Sequence, residues 1–558
     1  MGTAIWGPRR DGDGWRAALW APEARDVRLV TSEGRHPMTR DADGWWDAPV
    51  PGSCYRLDVD GQVMPDPASR LQDGGVDAPS IPACAVTPPA WSGRDWAEAV
   101  IYELNLGCFT PEGTLQAAAS RLEGLAQLGF TAIQLMPIGQ FPGDRGWGYD
   151  GVLPFALHPA YGGPQDLADF IARAHDAGLM VILDLVMNHF GPEGAWLHHA
   201  APPFFDAARQ TPWGAAIDFS RPEVRGFWTQ CAMHWLRDAG FDGLRLDAVH
   251  QITGPGAQDF LTDLAREVAG LTPPRHLITE DDRNLPALRE AGYDASWNDD
   301  FHHAVHCALT GEDDGYYASF AVDPVGDLAL ALERGHVEQG QPRPGLDHPR
   351  GADCSHLPPT GFVNAIQTHD QIGNRAQGDR LITLADPHGV RVAYGLLLVA
   401  PFIPMVFMGE ERGETAPFQY FADYSGDLAQ AIRTGRAREF AGIAASDGPG
   451  PDPMDPATFA ASRLGWADDA DARSWMNLTR RALAFRSALV VPLLRSGRPE
   501  TRVSRDGPGL IRAEWRFPAG GLAISLAFGQ PDPAPLPRPD LRVGQAGSDY
   551  LLTVKARP

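Results

Sequence analysis

The run Gly240–His250, written G-F-D-G-L-R-L-D-A-V-H, holds the first residues whose types and spacing suggest chemistry. Leu244 and Leu246 alternate with Arg245 and Asp247, so in an extended strand the leucines share one face and the charged pair the other. A carboxylate at the exit of a buried strand is costly unless it is paired or used. An arginine two residues earlier on the same face favours its ionised form. Taken alone, this fits a structural ion pair as well as a reacting carboxylate. The rest of the chain decides between them.

Comparable polar residues end or follow other apolar runs. Asp184 and Asn188-His189 go with Met180–Val186, Glu280 follows Leu277–Thr279, His369-Asp370 follow Phe362–Gln367, and Trp147 and Tyr149 come after Ala132–Met136. Glycoside hydrolysis needs two carboxyls, one ionised and one protonated. Asp247 beside Arg245 suits the nucleophile. Glu280, after the apolar pair Leu277-Ile278 and crowded by other carboxylates, suits the general acid. Asp370 is a third carboxylate, able to hold sugar hydroxyls. Trp147, Trp213, Phe301, Tyr316 and Tyr317 suit the apolar faces of sugars, and each would serve equally in a core. The competing chemistry, a metal hydrolase, wants several histidine ligands, often as H-x-H on a strand. No H-x-H ends a strand here. His302, His303 and His306 beside Asp299 and Asp300 form the most metal-like cluster, which a polar helix start explains more simply. No metal and no cofactor is expected.

These side chains need a scaffold that brings strand ends together. Thr114 caps a helix expected to run through Leu128 and stop at Gly129, before the strand Ala132–Met136. Leu167, Phe170, Ile171 and Ala174 form an apolar helical stripe that stops at Gly178, before Met180–Val186. Val224, Phe227, Trp228, Cys231 and Trp235 form another that stops at Gly240, before Gly243–Asp247. Helix, glycine and buried strand in repetition imply parallel strands with helical crossovers. With Val100–Leu106, Leu277–Thr279, Ala295–Trp297, Phe362–Gln367 and Met405–Phe407 there are eight strand candidates, which fits an α/β fold of the (β/α)8 TIM-barrel type with its site at the strand C-termini. A doubly wound open sheet is weakened by the lack of a G-x-G-x-x-G loop after a strand.

The barrel is expected over 96–496, between two smaller β-domains. Residues 1–95 carry short strands at Trp15–Ala21 and Val27–Val30 and hairpin signals at Asp43-Gly44 and Asp60-Gly61, which predicts a β-sandwich followed by the linker Pro82–Pro89. In 497–558, Ile511–Phe517 and Leu522–Phe528 alternate apolar with polar or small residues, the pattern of an antiparallel sheet with one wet face, and Asp532–Asp540 is a Pro-rich loop.

At 558 residues, 44% hydrophobic and 21% charged, the chain reads as a soluble multidomain protein. A formal net charge of −24 argues against nucleic acid or an anionic membrane as partner. Six scattered cysteines without C-x-x-C suggest a reducing compartment. The first residues show neither an apolar signal core nor a myristoylation pattern. Val392–Met408 is the longest apolar run, but Gly395, Pro401 and Pro404 break it into a buried helix, a turn and a strand. A cytoplasmic monomer or homodimer is expected.

Four segments in this order resemble the signature segments of the α-amylase family of glycoside hydrolases: Asp184–His189, Gly243–His250, Ile278–Glu280 and Thr368–Gln371. The resemblance implies a retaining double displacement with Asp247 as nucleophile, Glu280 as acid/base and Asp370 as transition-state stabiliser. It implies that Tyr149, Asp184, His189, Arg245 and His369 hold the ring at the cleavage subsite. His250, Asp282, Arg283, Trp297, Gln371 and Arg375 are the further substrate-binding candidates. Glu280–Asn284, Trp297–His306, Gly315–Ala318, Tyr102–Thr114, Thr211–Phe219 and Phe407–Glu411 look more narrowly like the branch of that family that cuts maltooligosyltrehalose, an α-glucan ending in trehalose. Thr368 stands where asparagine is expected, and Met187 where tyrosine is common. Glucan branching or debranching enzymes, and a catalytically silent glycan-binding subunit, are the alternatives.

Overall fold

The computed structural model describes residues 5–440 and 450–557. Met1–Ala4, read above for a leader, lie outside the described residues, as do 441–449 within the expected barrel and Pro558 at the end of the expected C-terminal domain. Eight parallel strands close into a barrel: β1 (Ile101–Leu104), β2 (Ala132–Leu135), β3 (Met180–Leu185), β4 (Gly243–Leu246), β5 (His276–Thr279), β6 (Ala295–Trp297), β7 (Phe362–Asn364) and β8 (Ile403–Phe407). Every expected strand is there. Most are shorter than expected, because the chain leaves the ladder for the loops at the barrel mouth before the apolar runs end.

Period-2 alternation sorts the strand residues. Tyr102, Ile133, Leu135, Val181, Leu183, Leu244, Leu246 and Leu277 face outward into the large core shared with the helices. Ile101, Ala132, Met180, Ile182, Ile278, Ala295, Val363, Ile403 and Met405 form a separate cluster inside the barrel. Two residues further along the same inward face come Glu103, Gln134, Asp184, Arg245 and Glu280. The barrel interior is thus apolar at its floor and charged at its C-terminal mouth.

Two helix expectations need correction. The segment after Thr114 is not one helix but two, Leu115–Ala119 and Leu122–Leu128. The Ser120 hydroxyl donates to the Ala117 carbonyl at 2.6 Å and competes with the helix ladder at the break. The helix Pro222–Met233 does not continue through Trp235 in α form; it widens into a π turn over His234–Asp238 before Gly240. Val392–Met408 divides as expected, into the end of helix Pro387–Val399, a turn, and β8.

The N-terminal region is a sandwich of two four-stranded antiparallel sheets, with Asp43-Gly44 and Asp60-Gly61 turning hairpins. It is pinned to the barrel through Trp6, whose ring meets Phe204 and Phe227 edge-on at 6.1 and 5.2 Å and whose Nε1 donates to the Glu223 carbonyl at 3.0 Å. The linker then passes under the barrel floor, where Trp91 stacks on His175 at 4.6 Å and donates to Asp242 at 2.9 Å.

A five-stranded antiparallel sheet over Glu500–Arg557 closes the chain and packs on helix Pro387–Val399, where Gly395 leaves room for Val543 and Leu552. Its strand Gly520–Phe528 lacks the wet face expected of it. Ala523, Ser525 and Ala527 are buried: Ala527 packs with Leu510 and Leu551 of the neighbouring strands, and Asp532 of the Pro-rich loop accepts from the Ser525 hydroxyl at 2.5 Å.

Candidate active site

Arg245 is the hub of the barrel mouth. It is fully buried, and its guanidinium carbon lies 4.1 Å from the centroid of the Trp297 ring. Nη1 donates to both oxygens of Asp184, at 2.9 and 2.8 Å, and to Asp247 Oδ1 at 2.8 Å; Nη2 donates to Glu280 Oε2 at 2.6 Å. One rigid fork therefore fixes three carboxyls from three strands. Asn188 Nδ2 holds the far side of Asp247, donating to Oδ2 at 2.8 Å and to its carbonyl at 2.9 Å. The backbone N–H of Ala248 donates to Glu280 Oε2 at 2.9 Å. To do so Ala248 adopts a left-handed conformation, φ 40° and ψ 52°, rare for a residue with a Cβ.

The two carboxyls on this fork are driven apart. Burial opposes ionisation of Asp247, but Arg245, His189 and the Asn188 hydrogen bond outweigh it and hold the group below the usual carboxylate range. Glu280 is pushed well above that range. Burial is the largest cause, Arg245 opposes it, and crowding by Asp247, Asp370 and Asp299 adds to it. Paired carboxyls separated in this way are what an acid and a nucleophile require.

A second set closes the mouth from the other side. Tyr149 Oη donates to Asp184 Oδ2 at 2.7 Å and lies 2.8 Å from His369 Nε2, with the two rings stacked at 5.2 Å. His189 Nε2 donates to the Tyr149 carbonyl at 3.0 Å, and Trp213, at the tip of a hairpin and 47% exposed, stacks on His189 at 4.4 Å. Asp370 begins the short helix His369–Gly373, partly open to solvent, 3.5 Å from His369 Nε2. Its neighbour Gln371 completes the capping box with Thr368 and reaches Asp299 at 3.4 Å.

The remaining expected residues stand at the rim. His250 faces Asp282 at 3.4 Å. Arg283 turns back onto Asp281, with contacts of 2.7 and 2.8 Å. Arg375 is committed to a two-pronged pair with Glu312, both contacts at 2.8 Å. The His302–His306 cluster is not assembled around a common point: His302 spends its nitrogens on the Ile366 carbonyl and the Tyr317 hydroxyl, and His306 pairs with Glu312. Among the described residues, the group whose ligand atoms do converge is His250, Asp281 and Asp282, within 4.8 Å, but Asp281 already serves Arg283.

Comparison with known proteins identifies the family. The alpha amylase catalytic-domain family matches residues 62–213, and carbohydrate-binding module 48 (isoamylase N-terminal domain) matches residues 5–67. A malto-oligosyltrehalose trehalohydrolase of Deinococcus radiodurans is 41% identical over 83% of this chain and 78% of its own length. One from Arthrobacter ramosus is 39% identical over 95% of this chain and 97% of its own. The chain belongs to the malto-oligosyltrehalose trehalohydrolase family. It is a glycosidase. A crystal structure from Salmonella typhimurium, 42% identical, superposes with a TM-score of 0.94 and covers 99% of both chains.

Within this family member, sequence reasoning missed Glu103 and passed over Asn188 and Asp299 as partners of the site. Glu103 had a readable signal. It is the one charged residue in the mostly apolar run Val100–Leu106, and it is fully buried. Asn188 stood out beside His189 at the end of a strand, but its bonds to Asp247 run across the barrel and no local signal gives them.

Proposed function

We propose that this glycosidase hydrolyses the α-1,4-glucosidic bond next to the terminal trehalose unit of maltooligosyltrehalose, releasing trehalose and a maltooligosaccharide. Asp247 attacks the anomeric carbon while Glu280 protonates the leaving oxygen. Glu280 then takes a proton from the water that breaks the glycosyl–Asp247 ester. Asp370 stabilises the oxocarbenium-like transition state. Tyr149, Asp184, His189, Arg245 and His369 hold the ring being cut, and Trp297 supports Arg245. His250, Asp282, Arg283, Gln371 and Arg375 contact more distant sugar units or shape the rim that meets them.

The observation that carries this reading is the single guanidinium joining Asp247 and Glu280. Carboxyls within reach of one fork favour the short spacing of retaining enzymes, about 5–5.5 Å, over the about 6.5–9.5 Å that leaves room for an inverting water. The choice of bond is supported by relatives of this name that span nearly the whole chain.

We divide the chain into a carbohydrate-binding-module-like sandwich (1–95), the barrel (96–496) and a β-domain (497–558), acting in the cytoplasm as a monomer or homodimer. The acidic charge and scattered free thiols support that placement. No helix among the described residues is long and apolar enough to cross a membrane.

Incubation with maltotriosyl-trehalose and, separately, with maltopentaose tests the reading. Free trehalose from the first with slow attack on the second is expected. Equal attack on both would make it a general α-glucan hydrolase, and longer or branched products a transferase.

A further inference from the structure

We propose that Glu103 is a positioning residue for this reaction: from the barrel interior it holds His369 with both ring nitrogens protonated, so that a fixed positive charge faces the subsite where the glycosidic bond is cut. The proposal rests on the reading of the site given above.

Hydrogen-bond bookkeeping leads to it. Glu103 is fully buried on β1, with Oε1 2.7 Å from His369 Nδ1 and Oε2 accepting from the His369 backbone N–H at 3.3 Å. A carboxylate only accepts, so Nδ1 carries a proton. On the other side of the ring, Nε2 lies 2.8 Å from Tyr149 Oη. The single Tyr149 proton is directed at Asp184 Oδ2, and both Asp184 oxygens also accept from Arg245. Tyr149 therefore has only a lone pair for His369, and Nε2 must donate as well. With both nitrogens donating, the ring is imidazolium.

The surroundings agree from every side. Facing His369 are Glu103 from β1, Asp370 beside it on the short helix, Arg245 from β4, Tyr149 from the loop after β2, and Asp184 from β3 behind Tyr149. The edges of Trp147 and Trp297 close the remaining space, at 5.5 and 5.9 Å. Burial disfavours the charge, but Asp370 and Glu103 outweigh it and raise the imidazole to about 9, against the opposing Arg245. Burial raises Asp184 to about 7. Between these values Asp184 is a carboxylate and His369 a cation, which is the state the hydrogen bonds describe. Among the described residues the Glu103 carboxyl hydrogen-bonds to His369 alone, and it is fully buried, so its effect passes through that residue.

Glu103→Gln removes the charge at nearly constant shape and keeps an acceptor for Nδ1. Full-length protein carrying 15N-labelled histidine reads the ring directly without substrate, with His369 assigned by the signal lost in His369→Gln. Doubly protonated 15N shifts at pH 7.5 are expected in the unmodified protein, with the midpoint falling by about two pH units or more in Glu103→Gln. Kinetics on maltotriosyl-trehalose add a second reading: kcat of Glu103→Gln at least tenfold below the unmodified enzyme at pH 8, within threefold at pH 5.5, and KM nearly constant. A loss equal at both pH values would mean a structural role only. A neutral His369 at pH 7.5 in the unmodified protein would overturn the proposal even if Glu103→Gln folds poorly, and so would an unmoved midpoint in Glu103→Gln or, in its place, Glu103→Leu, which also removes the charge. Absence of trehalose release would overturn the functional reading and leave the titration standing.

Discussion

Asp247 and Glu280 share one cation: Arg245 reaches the first through Nη1 at 2.8 Å and the second through Nη2 at 2.6 Å. The charge on Asp247 is one of the influences that raise Glu280. When Asp247 becomes a neutral glycosyl ester that influence disappears, and Glu280 shifts toward the ionised form it needs as a base. Asp247→Asn imitates this neutral state. It is expected to lower the Glu280 pKa by about one unit. Carbodiimide labelling of the Glu280 peptide across pH, followed by mass spectrometry, measures this. An unchanged midpoint would break the link between the two carboxyls.

The pH dependence of kcat/KM follows from the same pair. Asp247 works ionised and is held low, so activity falls on the acid side only as pH drops through its lowered value. Glu280 works protonated and is held high, so activity falls on the alkaline side as pH rises through its raised value. A bell extending well into neutral pH is expected. Glu280→Gln should remove the Glu280 part of the alkaline limb, leaving the fall set by His369 near pH 9, and lower turnover by about 10³-fold or more, with the melting temperature little changed. A variant retaining a tenth of the activity would remove Glu280 from its role.

Ala248 links backbone strain to the site. Its left-handed conformation aims its N–H at Glu280 Oε2, and holding a non-glycine residue there costs about 1–3 kcal/mol. Ala248→Gly relieves that strain and should leave stability unchanged or raise it by up to about 1 kcal/mol, with activity kept. Ala248→Val adds a branched Cβ where even alanine is strained. It should cost a further 1–3 kcal/mol or so and lower kcat at least tenfold, as Glu280 loses its donor. Wild-type melting and turnover in the valine variant would show that the conformation is incidental.

The eight strands were legible because alternation, apolar run length and glycine stops are local signals, and so was the Arg245–Asp247 pair, two residues apart on one face. What escaped depended on contacts across the barrel. Nothing near Ser120 announces that its hydroxyl will bond back and split a helix. The dry second face of Gly520–Phe528 depends on partners distant in the chain, Asp532 at Ser525 and Leu510 and Leu551 at Ala527. Arg283 and Arg375 were identifiable as arginines near the site, but their commitment to Asp281 and Glu312 is a matter of distance in space. The dominance of burial over crowding at Glu280 is likewise a property of the closed barrel.

Arg486 tests the floor of the barrel, far from this chemistry. It is fully buried, and among the described residues no carboxylate pairs with it. Its guanidinium instead donates to the carbonyls of Leu398, Ala400 and Phe402, tying the end of helix Pro387–Val399 to the start of β8. Burial lowers its pKa to about 9, which shows what keeping the charge there costs. The cost is tolerated because these carbonyls, at a helix end, lack intrahelical partners. Arg486→Met keeps the volume and removes the donors, and should destabilise the protein by roughly 2–5 kcal/mol. Arg486→Lys, with one compact head, should recover only part of this. Both should leave kcat and KM near wild type at temperatures where the protein stays folded. A methionine variant as stable as wild type in urea would mean that the three carbonyls find water, and that the arginine is dispensable to the joint between helix and strand.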